Sequence, residues 1–203
     1  MIERIVSDLI SSNVFVLSKN DSCIIIDAGA KIDSVKKAVG DKKVEGIFLT
    51  HGHYDHSARV MDYIHEFGTT VYASEFTKEY LQNSAYNYSE GKFAVSDFSN
   101  FKFLSGNGCL ELPTFSVQFH QLGGHSKSDM MFKVGDDIFV GDVLIGRDMG
   151  RIDLYGGSKE KMSESLKFLQ EVEYETMHSG HGNDNDKKTQ DKVANLWLKF
   201  LSR

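Results

Sequence analysis

Metal-ligating side chains are concentrated in one six-residue block. His51-Gly52-His53-Tyr54-Asp55-His56 contains three imidazoles and one carboxylate. Neutral imidazole and carboxylate are ligands that suit zinc, iron and manganese. If the strand that begins at Val44 continues to His53, then His51 and His53 point to the same face, because side chains alternate along a strand. Asp55 and His56 then follow in the loop that enters the next helix. We therefore interpret this block as a metal site.

Further candidate ligands follow three later apolar segments. His125 comes after the strand-like run Phe115–Phe119 and two glycines, Asp142 ends the run 138–141, and His181 is bracketed by glycines. Loops at strand ends are where a rigid scaffold brings distant side chains together. We therefore expect these three residues to join the first block in one centre.

The elements that must position these residues follow from hydrophobic periodicity. Apolar, β-branched runs predict strands over 13–18, 23–26, 44–50 and 69–73. Helical spacing of apolar residues predicts helices over 31–39, 57–67, 158–169 and 187–201. Residues 101–145 are expected to form short strands with a hairpin turn at 134–138, and 74–100 is the least regular part. Strands and helices alternate in two similar halves, which predicts helices layered around packed sheets.

Composition limits the class of protein. The chain has 203 residues, of which 40% are hydrophobic and 26% charged, so it is expected to fold as one globular domain. Twenty-three basic and twenty-nine acidic residues give a net charge of −6. Nucleic-acid binding usually requires a clustered basic surface. No nucleic-acid partner is therefore expected.

The chain carries only Cys23 and Cys109, too few for a disulfide framework. Cys23 opens an apolar run and is expected to be a buried thiol. The first eight residues lack the positively charged start and apolar stretch of a signal peptide, and no apolar run is long enough to span a membrane. The expected location is the cytoplasm, with no membrane partner.

Several blocks together resemble the metallo-β-lactamase superfamily and, within it, the glyoxalase II-like (hydroxyacylglutathione hydrolase-like) enzymes. The resemblance covers roughly residues 12–201 and rests on these blocks: 26–29, 50–56, 124–126, 141–144, 150–153 with 156–157, and 179–182. It implies an α/β fold, the αββα sandwich of the metallo-β-lactamase fold, with its site at one edge between the sheets. It also implies one such domain over 1–203, without the C-terminal glutathione-binding extension of glyoxalase II.

The same resemblance implies a ligand set for two divalent ions. One ion would be bound by a first trio of residues: His51, His53 and His125. The other would be bound by a second trio: Asp55, His56 and His181. Asp142 would bridge both ions. Zinc is the expected metal, and iron or manganese remain alternatives.

Three departures from the family pattern affect the expected substrate. Leu122 and Gly123 replace the usual Thr-Pro before Gly124 and His125, so that turn is less rigid. β-Lactamases of this fold typically carry Cys where Asp142 stands, which disfavours antibiotic hydrolysis. The expected lack of the glutathione-binding extension leaves recognition of glutathione conjugates open.

The function implied is a dinuclear metal-dependent hydrolase that acts on a small-molecule thioester. A hydroxide bridging the metals would attack the carbonyl, and Asp55 is the expected catalytic residue that orients or relays the proton of this nucleophile. A lactonase of the same fold and a persulfide dioxygenase with a single iron are alternatives, as is a metal-binding protein without activity. The oligomeric state stays open.

Four residues are assigned to the surroundings of the centre. Asp27 either fixes an imidazole tautomer or is only a turn residue at a strand end. Arg151 and Asp153 form a pair at the rim or contact the substrate. Tyr155, in a glycine-rich loop, contacts the substrate or is simply exposed.

Other polar residues near these blocks have two interpretations each. Lys127 either attracts an anionic substrate or is a solvated loop charge. Tyr86 and Tyr88 either form a lid or pack an irregular loop. The remaining histidines are expected outside the ligand set: His65, His120 and His178.

Overall fold

Two mixed β-sheets face each other, and helices cover their outer sides. The structure, a computed structural model, describes residues 1–202. The first sheet has six strands in chain order: β1 (Ile2–Val6), β2 (Asn13–Lys19), β3 (Ser22–Ile26), β4 (Lys43–Phe48), β5 (Val71–Ser74) and β6 (Phe101–Leu104). The second also has six, in the spatial order β14 (Asn185–Asp186), β13 (Thr176–His178), β10 (Asp137–Phe139), β9 (Met130–Val134), β8 (Ser116–Gln121) and β7 (Asn107–Glu111).

Within residues 1–202, six helices and one small ribbon complete the architecture. The ribbon pairs β11 (Leu144–Ile145) with β12 (Asp148–Met149). The helices are α1 (Ile32–Val39), α2 (Tyr54–Ser57), α3 (Val60–Phe67), α4 (Thr77–Gln82), α5 (Lys159–Glu171) and α6 (Lys187–Leu201). No helix within residues 1–202 is both long and apolar enough to cross a membrane.

Alternation along the strands produces three apolar layers. In β3, Ile24 and Ile26 join Phe48 and Phe132 in the cluster between the two sheets. Cys23 and Ile25 point the other way, because neighbouring side chains in a strand face opposite sides. They pack with residues of α1 and α3: Val35, Val39, Val60 and Tyr63. A third cluster packs the outer side of the second sheet against α5 and α6. The αββα sandwich is therefore confirmed, and Cys23 is buried as expected.

Most predicted elements are confirmed. The helices predicted over 31–39, 158–169 and 187–201 are α1, α5 and α6, and the hairpin at 134–138 joins β9 to β10. β1 was not predicted, because this half-exposed edge strand carries charged Glu3 and Arg4 rather than an apolar pattern. The irregular segment 74–100 contains one short helix, α4.

The prediction that the β4 strand continues to His53 is wrong. β4 ends at Phe48. The Thr50 N–H donates to the Asp27 carboxylate at 2.7 Å. The Thr50 carbonyl accepts from the backbone N–H of Met130, also at 2.7 Å. The chain therefore leaves the first sheet and bonds to a strand of the second. Asp55 and His56 lie in the short helix α2 rather than in a loop.

Candidate metal centre

All seven predicted ligands lie at one end of the sandwich. The block 51–56 follows β4, and the other three ligands follow the ends of β8, β10 and β13. Six of the seven residues are buried, and only His181 is partly exposed. Residues separated by up to 130 positions in sequence thus meet because the strands that precede them end together.

The first trio forms one side of the centre. His51, His53 and His125 each offer a ligand atom, and these atoms lie within 4.8 Å of one another. The shortest approach is 2.9 Å, between Nδ1 of His53 and Nε2 of His125. The rings of His53 and His125 are nearly perpendicular, at 89°.

The second trio forms the other side. Asp55, His56 and His181 also offer ligand atoms within 4.8 Å of one another. Nε2 of His181 lies 3.1 Å from Oδ2 of Asp55 and 3.3 Å from Nε2 of His56. Two imidazoles and one carboxylate thus converge on a common point.

Asp142 lies between the two trios. Its Oδ2 atom is 3.7 Å from Nε2 of His125 and 3.4 Å from Nε2 of His181. Its Oδ1 atom is 3.5 Å from Nε2 of His56. One carboxylate therefore reaches imidazoles of both trios.

A second carboxylate orients histidines from behind. Oδ2 of Asp27 accepts from Nδ1 of His56 at 2.8 Å. The Thr50 hydroxyl donates its single proton to Asp27 at 2.8 Å, so it acts as acceptor towards Nδ1 of His51, which lies 3.1 Å away. Nδ1 of both rings is therefore the donor towards these outer groups, and both Nε2 atoms face the centre. The sequence assigned no role to Thr50, although it directly precedes the first of the ligands.

His125 is oriented in a similar way by backbone groups. The Arg151 carbonyl accepts from Nδ1 of His125 at 2.9 Å, which leaves the Nε2 lone pair for the centre. The buried carboxylate of Asp129 accepts the backbone N–H of His125 at 3.0 Å and that of Ser126 at 2.9 Å. Asp129 was also missed. Its only sequence signal is its position four residues after a candidate ligand.

The unpaired atoms inside the centre fit a cation. Among residues 1–202, Nε2 of His51 and Oδ1 of Asp142 are buried without a hydrogen-bond partner. Nδ1 of His53 and Nε2 of His125 face each other at 2.9 Å, and either nitrogen can be the donor of that pair. Buried acceptors without donors are costly. Divalent metal ions would satisfy them, so the donor set is suited to metal binding.

The two trios differ in charge. Burial lowers the pKa of His51 well below its usual range and lowers that of His53 to about 3, so both rings are neutral. Burial also opposes the charged form of His56 and His181. The nearby carboxylates of Asp55 and Asp142 outweigh it and raise their pKa values to about 9 and about 10. Without metal, the second trio therefore carries protons where a cation would otherwise lie.

At the rim, Arg151 and Asp153 form a bidentate ion pair. Nε and Nη2 of Arg151 lie 2.9 Å and 2.8 Å from the two carboxylate oxygens of Asp153. Tyr155 stacks on Tyr86 with ring centroids 3.6 Å apart. The Lys127 ammonium lies 5.1 Å from the centroid of the Tyr155 ring.

The three other histidines lie outside both trios. His65 is exposed on α3, and His120 stacks on Phe168. His178 is buried between Asp137 and Asp184, with its ring nitrogens 2.8 Å and 3.2 Å from their oxygens.

Comparison with known proteins gives three informative relatives. The probable metallo-hydrolase YqgX of Bacillus subtilis is 29% identical over 189 residues, covering 89% of this chain and 90% of that protein. Hydroxyacylglutathione hydrolase GloC of Haemophilus influenzae is 26% identical over 151 residues, covering 70% and 71% of the two chains. The crystal structure of the B3 metallo-β-lactamase BLEG-1 superposes with a TM-score of 0.87 at 25% identity, covering 95% and 97%.

A family model connects the ligand blocks with this fold. The model of the metallo-β-lactamase superfamily matches residues 7–181, a span that includes all seven candidate ligands. Members of this superfamily are mostly metal-dependent hydrolases. The chain belongs to the metallo-β-lactamase superfamily.

Proposed function

We propose that the protein is a dinuclear metal-dependent hydrolase of small thioesters, similar to glyoxalase II. The observation that carries this proposal is the position of Asp142, whose Oδ2 atom lies 3.7 Å from His125 and 3.4 Å from His181. A carboxylate between two complete trios is suited to two ions. We propose zinc for both positions, with iron and manganese as alternatives.

The second trio favours two metals over one. A persulfide dioxygenase with a single iron would leave His56 and His181 without a ligand role. Here their ring nitrogens lie 3.4 Å and 3.1 Å from Oδ2 of Asp55, inside the same cluster. Asp27 also accepts a hydrogen bond from the outer nitrogen of His56, and metal-ligating histidines commonly donate such a bond to a carboxylate.

The chain supplies the groups that the hydrolysis needs. Bound divalent ions would act as Lewis acids and would lower the pKa of a water molecule towards neutrality. Burial opposes ionisation of Asp55, but His56 and His181 outweigh it and lower the pKa of Asp55 below its usual value. Asp55 is therefore an ionised acceptor at neutral pH. We propose that it orients the attacking water and accepts its hydrogen bond.

In the proposed reaction, water adds to the carbonyl carbon of the thioester and the C–S bond breaks. The products are a carboxylic acid and a thiol. The similarity to GloC, which is named a hydroxyacylglutathione hydrolase, supports this substrate class. We propose that the chain acts as one domain in the cytoplasm, on a small molecule and without a nucleic-acid or membrane partner.

The test is hydrolysis of S-lactoylglutathione by zinc-loaded protein, with a chelated sample and a metal count beside it. We expect turnover that chelation removes and that returning zinc restores. His56→Ala should abolish it, while His65→Ala, an exposed histidine on α3, should not change it.

Other substrates distinguish the alternatives. Turnover of an acyl-homoserine lactone in place of the thioester would favour a lactonase, and oxygen consumption with a persulfide would favour the dioxygenase. A β-lactam is included because BLEG-1 is named a B3 metallo-β-lactamase. Protein with two bound zinc ions that hydrolyses one of these and no thioester would overturn the proposal.

A further inference from the structure

One aromatic side chain of the irregular segment lies beside the centre. The ring centroid of Tyr88 is 5.4 Å from that of His53, at an interplanar angle of 69°. Tyr88 is 45% exposed, unlike the buried Tyr80, whose ring centroid lies 5.7 Å from that of His53. A large aromatic residue that stays exposed next to a candidate metal ligand is available for contact with a bound molecule.

The backbone at Tyr88 has an unusual conformation, and the residues on either side of it are buried. Tyr88 has φ of +62°, a left-handed conformation that a bulky residue adopts only at a cost. Asn87 and Ser89 on either side are buried. The Asn87 carbonyl accepts from the Tyr54 N–H at 2.8 Å, which ties the segment to the ligand block itself. Strain of this kind is concentrated at functional sites.

Hydrogen bonds from Asn87 and Ser89 stabilise the turn. The Asn87 side-chain amide donates to the Tyr80 carbonyl at 2.9 Å, and its oxygen accepts from the Ser89 N–H at 2.9 Å. The Ser89 hydroxyl donates to the Phe93 carbonyl at 3.0 Å. The backbone on both sides of Tyr88 is thus fixed, while Tyr88 itself stays partly exposed.

The far end of the Tyr88 ring is fixed as well. Its hydroxyl accepts the backbone N–H of Tyr155 at 2.6 Å. Tyr155 is stacked on Tyr86 at 3.6 Å with an interplanar angle of 6°, and its carbonyl accepts from the Tyr80 hydroxyl at 2.9 Å. The ring of Tyr88 is therefore held before any ligand arrives, so little side-chain entropy is lost on binding.

We propose that Tyr88 is a specificity-determining residue, whose ring packs against an aromatic group of the ligand bound at the metal centre. In the proposed hydrolase, on which this inference rests, that group belongs to the acyl part of the thioester. An aromatic pair contributes more than its buried area alone, which corresponds to a preference of about 2- to 12-fold. The ligand class is therefore an arylacyl compound rather than a short aliphatic one.

Binding tests this without requiring turnover. Mandelate and lactate share a carboxylate and a 2-hydroxyl and differ only in phenyl against methyl. Their dissociation constants are measured by calorimetry on zinc-loaded wild-type protein and on Tyr88→Phe and Tyr88→Leu. Both variants lose the hydroxyl that Tyr155 bonds, but only Tyr88→Phe keeps the ring.

Wild-type protein and Tyr88→Phe should bind mandelate more tightly than lactate. Tyr88→Leu should narrow that ratio by about 2- to 12-fold relative to Tyr88→Phe. Phe76→Leu removes an aromatic ring of similar exposure, 42%. Phe76 lines a cleft with Leu122 and Phe168 whose lining contains neither Tyr88 nor any of the seven candidate ligands, so this variant should keep the wild-type ratio.

The inference would be overturned if Tyr88→Phe and Tyr88→Leu gave the same ratio of lactate to mandelate dissociation constants. It would also be overturned if wild-type protein did not bind mandelate more tightly than lactate. Turnover of S-mandeloylglutathione and S-lactoylglutathione by the same variants gives a second ratio of kcat/KM. If neither thioester is hydrolysed, the proposed function fails while the binding ratios still decide the role of Tyr88.

Discussion

Oδ2 of Asp27 accepts a hydrogen bond from Nδ1 of His56 at 2.8 Å, and both groups are buried. The same carboxylate accepts from the Thr50 hydroxyl, which in turn lies 3.1 Å from Nδ1 of His51. A single carboxylate behind the centre thus sets the orientation of one histidine from each trio. Partners of this kind commonly change metal affinity without contacting the metal.

Asp27→Asn should weaken metal binding. Asparagine tolerates the left-handed backbone of this position, where φ is +64°, so the backbone is preserved while the charge is lost. We expect metal affinity to fall by about 10- to 100-fold, measured by competition with a chromophoric chelator. The matched control is Asp137→Asn, which alters a similar 2.8 Å bond to His178 away from the centre. Equal losses in both variants would contradict a specific role for Asp27.

Asp142→Ala should disrupt both metal positions, because this carboxylate lies between the trios. Loss of a residue that only hydrogen-bonds a metal ligand lowers activity by about 10- to 100-fold. Loss of the ligand Asp142 should cost more, so we expect thioester turnover to fall by more than about 100-fold. Metal analysis should show fewer than two ions per chain. Retention of both ions with full turnover would show that the proposed mechanism is wrong.

Metal binding to the second trio should depend steeply on pH. In the metal-free protein the pKa values of His56 and His181 are about 9 and about 10, so both are protonated at pH 7 and must lose a proton to bind metal. Raising the pH should therefore strengthen binding. His51 and His53, with lowered pKa values, release no proton. Calorimetry in two buffers of different ionisation enthalpy measures the number of protons released. Binding of the second metal ion without proton release would contradict the protonated state of His56 and His181.

Gly124→Ala should destabilise the fold. Gly124 has φ of +122°, and an added Cβ would collide with the backbone and side chain of Met162 in α5. Gly135 also has positive φ, +61°, but a Cβ there meets open space. We expect Gly135→Ala to cost about 1–2 kcal/mol in the free energy of unfolding, and Gly124→Ala about 1–3 kcal/mol more. Urea denaturation measures both, and equal costs would refute the collision.

The ligand block was identifiable from sequence because its chemistry is dense and local. His51 to His56 lie within six positions, and the later candidates each follow an apolar run. The layering of helices around sheets followed from the alternation of such runs with amphipathic helices, whereas the αββα order came from the family resemblance. These signals depend on neighbours in sequence, which is the information that periodicity contains.

The surroundings of the centre depend on long-range contacts and were harder to predict. β4 ends early because Thr50 bonds to Asp27 and Met130, residues 23 and 80 positions away. The left-handed turn at Tyr88 depends on its buried neighbours, and the position of its ring depends on Tyr155. No local pattern distinguishes Tyr88 from the other aromatic residues of that segment.

The ligands of the centre come from two stretches of chain, one before β6 and one after β7. The first trio takes His51 and His53 from the stretch that builds the first sheet and His125 from the stretch that builds the second. The second trio is divided in the same way, with His181 as the later member. Cleavage between β6 and β7 would therefore leave neither fragment with a complete trio, and restored metal affinity would report reassembly of the two fragments.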